Sequence, residues 1–247
     1  MKVKQIRTLP AVAVLAGLMM LAACSTSNGE PQTNSESVAP SQVLDFGTLY
    51  AQNCAGCHGA QGRGGASIAL ANPVYLAIVD ETTMRIIVEN GVHGTSMPAF
   101  AQTAGGMLTK QQVEVIASGI SRWGRKQVLD GANPPSYAAK AAGNVDHGQL
   151  VFGTYCAACH GSEGAGTKKG SAITTDSFLA LLSDQELRTI VITGRPELGA
   201  PDWRGNVPGQ PMTEQEITDV VAWLVSRRAE NPGQPYSALN YTQNSEK

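Results

Sequence analysis

Cys54-Ala55-Gly56-Cys57-His58 recurs almost unchanged as Cys156-Ala157-Ala158-Cys159-His160, 102 positions further on. Two thiols separated by two residues and followed directly by an imidazole form the attachment pattern of a c-type haem. The thiols add to the two vinyl groups, and the adjacent histidine is carried beneath the iron. Three plainer explanations fit less well. A local disulfide accounts for each Cys pair but gives no reason for the histidine after both. A zinc site built from two such pairs normally has them ~12–20 residues apart, far closer than Cys57 and Cys156. A thioredoxin-like pair sits in a βαβ pattern, and no strong strand signal flanks either motif. The chain has 5 cysteines; four belong to the two motifs and the fifth is Cys24, which leaves none for a structural disulfide. Two covalently attached c-type haems are expected, with His58 and His160 as proximal iron ligands.

The N-terminus reads as an export signal. Lys2, Lys4 and Arg7 precede an apolar run from Ala11 to Ala22, of signal-peptide length and too short for a membrane span of ~20 residues. The run ends Leu21-Ala22-Ala23-Cys24, which resembles a bacterial lipobox. That resemblance implies a leader over 1–23 and lipidation at Cys24; two or more acyl chains give stable anchoring. Export fits the cofactor, because c-type haem is attached outside the cytoplasm. Residues 24–41 are rich in Ser, Asn, Gln, Glu, Thr and Pro and read as a flexible tether. Without the three leader cations the formal charge moves from −2 to −5. No basic patch suggests nucleic acid, so the expected partners are other redox proteins and, through the anchor, a membrane.

The duplication extends well beyond the haem motifs. Tyr50 and Phe152 each stand four residues before the first thiol, which places the aromatic on the thiol's face of a helix. Gly59, Gly62 and Gly64 recur at the same offsets as Gly161, Gly164 and Gly166, where glycine lets the chain turn beside a haem. A helical pattern from Leu76 through Met84 and Ile87 to Gly91 matches Leu179 through Leu187 and Ile190 to Gly194, each pair 103 positions apart. It predicts one middle helix per repeat, ended by glycine. Arg85 and Arg188 on these helices either reach haem propionates or solvate an outer face. Thr109 before Val113, Ile116, Ala117 and Ile120 matches Thr213 before Ile217, Val220, Val221 and Leu224. Both threonines read as N-caps of a closing helix, and Glu216 completes a capping box with Thr213.

These elements resemble two tandem class I cytochrome c domains, an all-α fold, over 42–125 and 144–230, with a linker over 126–143 and an irregular tail over 231–247. In that family a Met-Pro in the loop before the last helix supplies the distal iron ligand. The resemblance therefore implies Met97 in Gly94-Thr95-Ser96-Met97-Pro98. A thioether is a suitably soft ligand, and His/Met ligation raises the reduction potential. His93 is an alternative ligand, a propionate neighbour or an exposed loop residue. The second repeat departs from the pattern, because Leu198-Gly199-Ala200-Pro201 places Ala200 before the proline. Met212 is either recruited as the second distal ligand or is the hydrophobe that staples the start of the last helix. His147, on the N-terminal side, is a poor ligand candidate. Pro134 and Pro135 favour an extended, semi-rigid linker.

The function implied is electron transfer by a lipid-anchored, periplasm-facing dihaem cytochrome. It would act as a free carrier or as a subunit of a respiratory assembly such as alternative complex III. The competing reading is a haem enzyme, a peroxidase or sulfur-compound oxidoreductase, working at an open second iron; Asp202 and Arg204 are the charged candidates near that loop. A haem sensor is a third class, with no signalling domain to support it.

Overall fold

The computed structural model describes residues 38–124, 129, 131–230 and 232. The leader, Cys24, most of the expected tether and nearly all of the tail lie outside the described residues. In the first repeat, α1 (Phe46–Asn53) ends at Cys54 and the single turn α2 (Ala55–His58) carries the second thiol and the histidine. After these come α3 (Pro73–Ile78), α4 (Glu81–Asn90) and α5 (Lys110–Ser121). The second repeat follows the same course as α6 (Val145–Tyr155), α7 (Ala157–His160), α8 (Asp176–Leu181), α9 (Asp184–Thr193) and α10 (Glu214–Ser226). Among the described residues there is no strand, only the isolated bridges Ala101–Leu108 and Arg195–Ala200. None of the described helices is long and apolar enough to cross a membrane.

The expected single middle helix is two helices in each repeat, and the sequence contains the reason. Asp80 and Ser183 leave the helical conformation and cap new helices, their side chains accepting from Thr83 N–H and Glu186 N–H. Such residues favour caps over helix interiors. Thr109 and Thr213 cap α5 and α10 as expected. Both form capping boxes, because Gln112 serves in the first repeat as Glu216 does in the second. The Gln112 side chain also donates to Pro40 O at 2.8 Å and Val43 O at 3.1 Å, so the end of the expected tether is docked on α5.

The first and last helices of each repeat cross closely, and the two crossings are built from the same parts in opposite places. In the first repeat the aromatic is Phe46 on α1, and a Cβ at Gly119 of α5 would lie 2.1 Å from the Phe46 ring. In the second repeat the glycine is Gly148 on α6, where a Cβ would lie 2.0 Å from Asp219 O and 2.9 Å from Trp223 Cβ on α10. Around these contacts Phe46, Tyr50 and Trp123 form one cluster, with Trp123 edge-on to both other rings and centroids 4.9–5.8 Å apart. Phe152 and Trp223 form the other at 4.3 Å. The first cluster's separations fall in the ~4.5–7 Å range favourable for aromatic pairs, and the second pair is closer and tilted at 33°.

The repeats are joined by specific contacts. Asn72 caps α3 with its Oδ1 while its Nδ2 donates across to Thr193 O at 3.1 Å, both groups buried. Val74 of α3 is buried in the apolar cluster of the second repeat. The linker is docked rather than a free spacer. Tyr137 packs on the first repeat's core, and the buried Arg188 donates to Ser136 O, Tyr137 O and Thr218 Oγ1. Arg188 is therefore a fastener between linker and helices, not an outer solvating residue. Arg85 pairs with Glu89 at 2.7 Å.

His147 is engaged away from the haem motif. Its Nδ1 lies 2.7 Å from Asp219 Oδ2, and the buried Asp219 also accepts from Asn144 N–H and the Gln215 amide. Burial pushes the Asp219 carboxyl up, but the bonds from Asn144, His147 and Gln215 outweigh it and hold the group below its ordinary 3.8. A depressed carboxyl contributes stability above its unfolded value that is lost as pH falls through the folded one. Asp219→Asn is expected to cost about 1–3 kcal/mol near neutrality, because one amide oxygen must replace the two carboxylate oxygens that serve three donors. Thermal melts should show the gap to wild type closing below pH 3.8; a gap independent of pH would refute this account.

Candidate haem sites

In each repeat the helix breaks at the first cysteine, and a one-turn helix then presents the second thiol and the imidazole. Cys54 is buried, Cys57 and Cys159 are exposed, Cys156 is intermediate, and none of the four is disulfide-bonded. Burial, reinforced by the neighbouring thiol, pushes Cys54 up to about 11 and Cys156 up to about 12. Both are therefore neutral thiols in the haem-free chain. Among the described residues no group of three or more His, Cys, Asp or Glu side chains is arranged to hold a metal ion by itself.

The histidines are oriented alike. His58 Nδ1 lies 2.8 Å from Ile68 O, and His160 Nδ1 lies 2.7 Å from Ser171 O. A carbonyl only accepts, so Nδ1 carries the hydrogen and Nε2 keeps its lone pair. Such a backbone partner fixes ring and tautomer for metal binding. Burial, partly offset by the Ile68 bond, lowers the His58 pKa and favours the neutral ring.

A cleft of about 1000 Å³, its open mouth included, joins the parts of the first site. Cys54, Cys57 and His58 lie along it together with Met97 and Pro98, and Tyr75, Met84, Ile87, Val88 and Ile120 give it apolar walls. Its volume, apolar walls and convergent sulfur and nitrogen donors fit a c-type haem. The Met97 loop is fixed by its own backbone: Val92 N–H donates to Met97 O at 3.1 Å, and Met97 N–H to Thr95 Oγ1 at 3.2 Å. Gly91 permits this. Its φ is +67°, and a Cβ there would lie 2.5–2.6 Å from Pro98 C and Met97 O. His93 is exposed and does not line the cleft.

The second repeat reproduces that loop without its sulfur. Gly194, at φ +63°, abuts Pro201 and Ala200 as Gly91 abuts Pro98 and Met97, so Ala200 occupies the Met97 position. Met212 N–H donates to Trp203 O at 2.9 Å as Leu108 N–H donates to Phe100 O at 2.8 Å, which makes Met212 the counterpart of Leu108. It is 3% exposed and packs with the apolar cluster that includes Trp203, Ile192 and Leu187; the Asn206 amide stands 4.0 Å from its sulfur. Asp202 and Arg204 pair with each other at 2.7 Å, and the guanidinium stacks over Trp203. Four residues of the first cleft have no counterpart in the sequence pattern. Tyr137 comes from the linker, and Gln185, Glu186 and Thr189 come from α9 of the second repeat. Only the contact between repeats brings them there, so no local motif announces them.

Comparison with known proteins agrees with this geometry. The family model described as cytochrome c oxidase, cbb3-type, subunit III matches residues 42–118 and again 143–224, one haem motif in each region, which makes this a two-haem chain. The cbb3-type cytochrome c oxidase subunit CcoP of Azospirillum sp. (strain B510) is 30% identical over 130 residues, covering 48% of this chain and 39% of that protein. Subunit FixP of Sinorhizobium medicae (strain WSM419) is 25% identical over 197 residues, covering 73% of this chain and 62% of the relative. The chain therefore spans roughly 39–62% of the length of these relatives. Among solved structures, a Kuenenia stuttgartiensis reducing HAO-like protein complex aligns at 17% identity and TM-score 0.43, over 77% of this chain and 99% of that one. Since the family model spans most of both repeats, the chain belongs to the cbb3-type cytochrome c oxidase subunit III family.

Proposed function

We propose that this chain is the dihaem electron-transfer subunit of a membrane-bound respiratory complex, lipid-anchored through Cys24 and facing the periplasm. Cys54, Cys57, His58 and Met97 hold the first haem; Cys156, Cys159 and His160 hold the second, with Met212 as its distal ligand. The observation that carries the reading is the pair of Cys-x-x-Cys-His turns, each with its imidazole Nδ1 tied to a backbone carbonyl at 2.8 or 2.7 Å. The haems supply one-electron chemistry at iron; the protein fixes their axial ligands, excludes water and sets their potentials. Redox encounters of this kind bury little surface, and the relatives named as oxidase subunits support membership of a complex.

Isolating the tagged chain from membranes tests this reading. The expected result is co-isolation of a haem-containing respiratory complex, reduction of both haems by that complex's donor, and release of a Cys24→Ser variant to the soluble fraction. A chain that isolates alone and turns over peroxide or a sulfur compound would overturn it in favour of the enzyme reading. One observation favours that alternative: Ala200 stands where Met97 stands in the first repeat. The mutual pairing of Asp202 and Arg204 speaks against it, because it engages the two charged candidates as an internal ion pair, as Arg195 and Glu197 are engaged with each other on the other side of Ala200.

A further inference from the structure

The first haem cleft has a polar side contributed by the linker and the second repeat. Of the residues lining it, Tyr137, Gln185, Glu186 and Thr189 lie beyond the first repeat. Two of them are already tied down: the Gln185 amide donates to Tyr137 O at 2.8 Å, and Thr189 Oγ1 donates to Gln185 O at 2.7 Å. Glu186 is different. Its backbone N–H donates to Ser183 Oγ, but among the described residues no hydrogen bond or ion pair to its carboxylate is formed. Among the described residues it is the one carboxylate lining the cleft, and no described Lys or Arg lines it. The other titratable groups along it are Cys54, Cys57, His58, Tyr75 and Tyr137. Burial pushes Glu186 above its ordinary range, and its charge in turn adds to the burial that raises Tyr137.

Glu186 is half-buried at the wall of an apolar cleft, where a charge acts through less water than it would on the outer surface. We propose that the second repeat completes the first haem's binding site, and that Glu186 sets the potential of that haem from across the repeat boundary. The reading rests on a haem occupying the first cleft. A negative charge beside the iron favours the ferric over the ferrous form, so it lowers the potential of the haem it faces. Charges on the solvent face of the same repeat are screened and act weakly. No bond forms or breaks: one electron from the external donor reduces ferric to ferrous iron. Where Glu186 titrates, one solvent proton joins its carboxylate as that electron arrives.

The test is a spectroscopic redox titration of the purified holoprotein near neutral pH, resolving two one-electron waves. The first haem's wave is the one absent from Cys54→Ala/Cys57→Ala, which lacks both attachment thiols of that site. Glu186→Gln and Glu186→Met both remove the charge, so a folding failure of one leaves the other to decide. Either variant is expected to lower the ferric-to-ferrous ratio of the first haem at fixed solution potential by three- to tenfold, a tenfold change being 59 mV for a one-electron couple. The second wave should stay in place. The difference from wild type should shrink on acidification, as the carboxylate takes up its proton. Asp176→Asn, an equal charge change at an exposed position of the second repeat, should move neither wave comparably. The proposal is overturned if the Glu186 variants leave the first wave in place, lower it, or move both waves together. Met97 ligation is judged separately, from the far-red methionine–iron band, so either reading can fail without the other.

Discussion

Replacing Met97 by alanine is expected to remove the far-red methionine–iron band of the first haem. It should also lower that haem's potential by on the order of 0.1 V or more, within the ~0.8 V that axial ligation spans. Three features give this prediction its size. The loop that carries Met97 is pinned by Val92, Thr95 and Gly91, and the cleft's other thioether, Met84, is packed into its wall with the Tyr75 hydroxyl 3.9 Å from its sulfur. His93, the nearest candidate, is exposed. Met97 itself is only half-buried, so its loss should cost little packing, and the change will read out at the iron. Met212→Ala makes the contrast. Emptying a buried methionine site in a core typically costs 2–5 kcal/mol, and that destabilisation is expected whatever the ligand. A concurrent shift of the second haem from low to high spin would identify the thioether as its axial ligand. An unchanged spectrum would leave Met212 as the counterpart of Leu108 and the second iron open. If Met97→Ala keeps its far-red band, the ligand assignment of the first repeat is wrong.

What the sequence made legible was local. The haem motifs, the turn glycines and the caps at Thr109 and Thr213 depend on neighbours a few residues apart, and they stand where their spacing placed them. All six turn glycines, from Gly59 to Gly166, adopt positive φ. The middle helix was misread because the apolar period runs on through Asp80 and Ser183; the capping preference of those residues outweighs the period. By sequence Arg188 either reaches a haem propionate or solvates an outer face; it is buried, which overturns the second role. Its partners, Ser136 and Tyr137 in the linker, are some fifty positions away and provide backbone carbonyls, which carry no residue-type signal. Ile68 and Ser171, which orient the two haem histidines, were invisible for the same reason. Glu186 is an ordinary helix-start acid by sequence, and only the packing of α9 beside the first cleft gives it another role.

The largest loss of stability is expected from Gly148→Val. A Cβ at Gly148 would lie 2.0 Å from Asp219 O and 2.6 Å from Asp219 C. These are backbone atoms of α10, so α6 and α10 must separate to admit it. Overpacking costs typically 1–3 kcal/mol where side chains can move aside, and here they cannot, so a loss of about 3 kcal/mol or more is expected. For a chain of this length that is about 6–12 °C in Tm. The first repeat gives the control. A Cβ at Gly119 meets only the Phe46 ring among its nearest atoms, so Gly119→Ala should be substantially rescued by Phe46→Ala, the pair costing less than the sum of the two changes. Trp223→Ala should not rescue Gly148→Ala, because removing the indole leaves the Asp219 carbonyl in place. Double-mutant cycles by thermal melting separate the cases. Equal coupling in the two repeats would mean that the crossings are set by side-chain volume alone. Coupling confined to Phe46 and Gly119 would mean that the duplicated halves solve one crossing in two ways, ring against glycine in the first and backbone against glycine in the second.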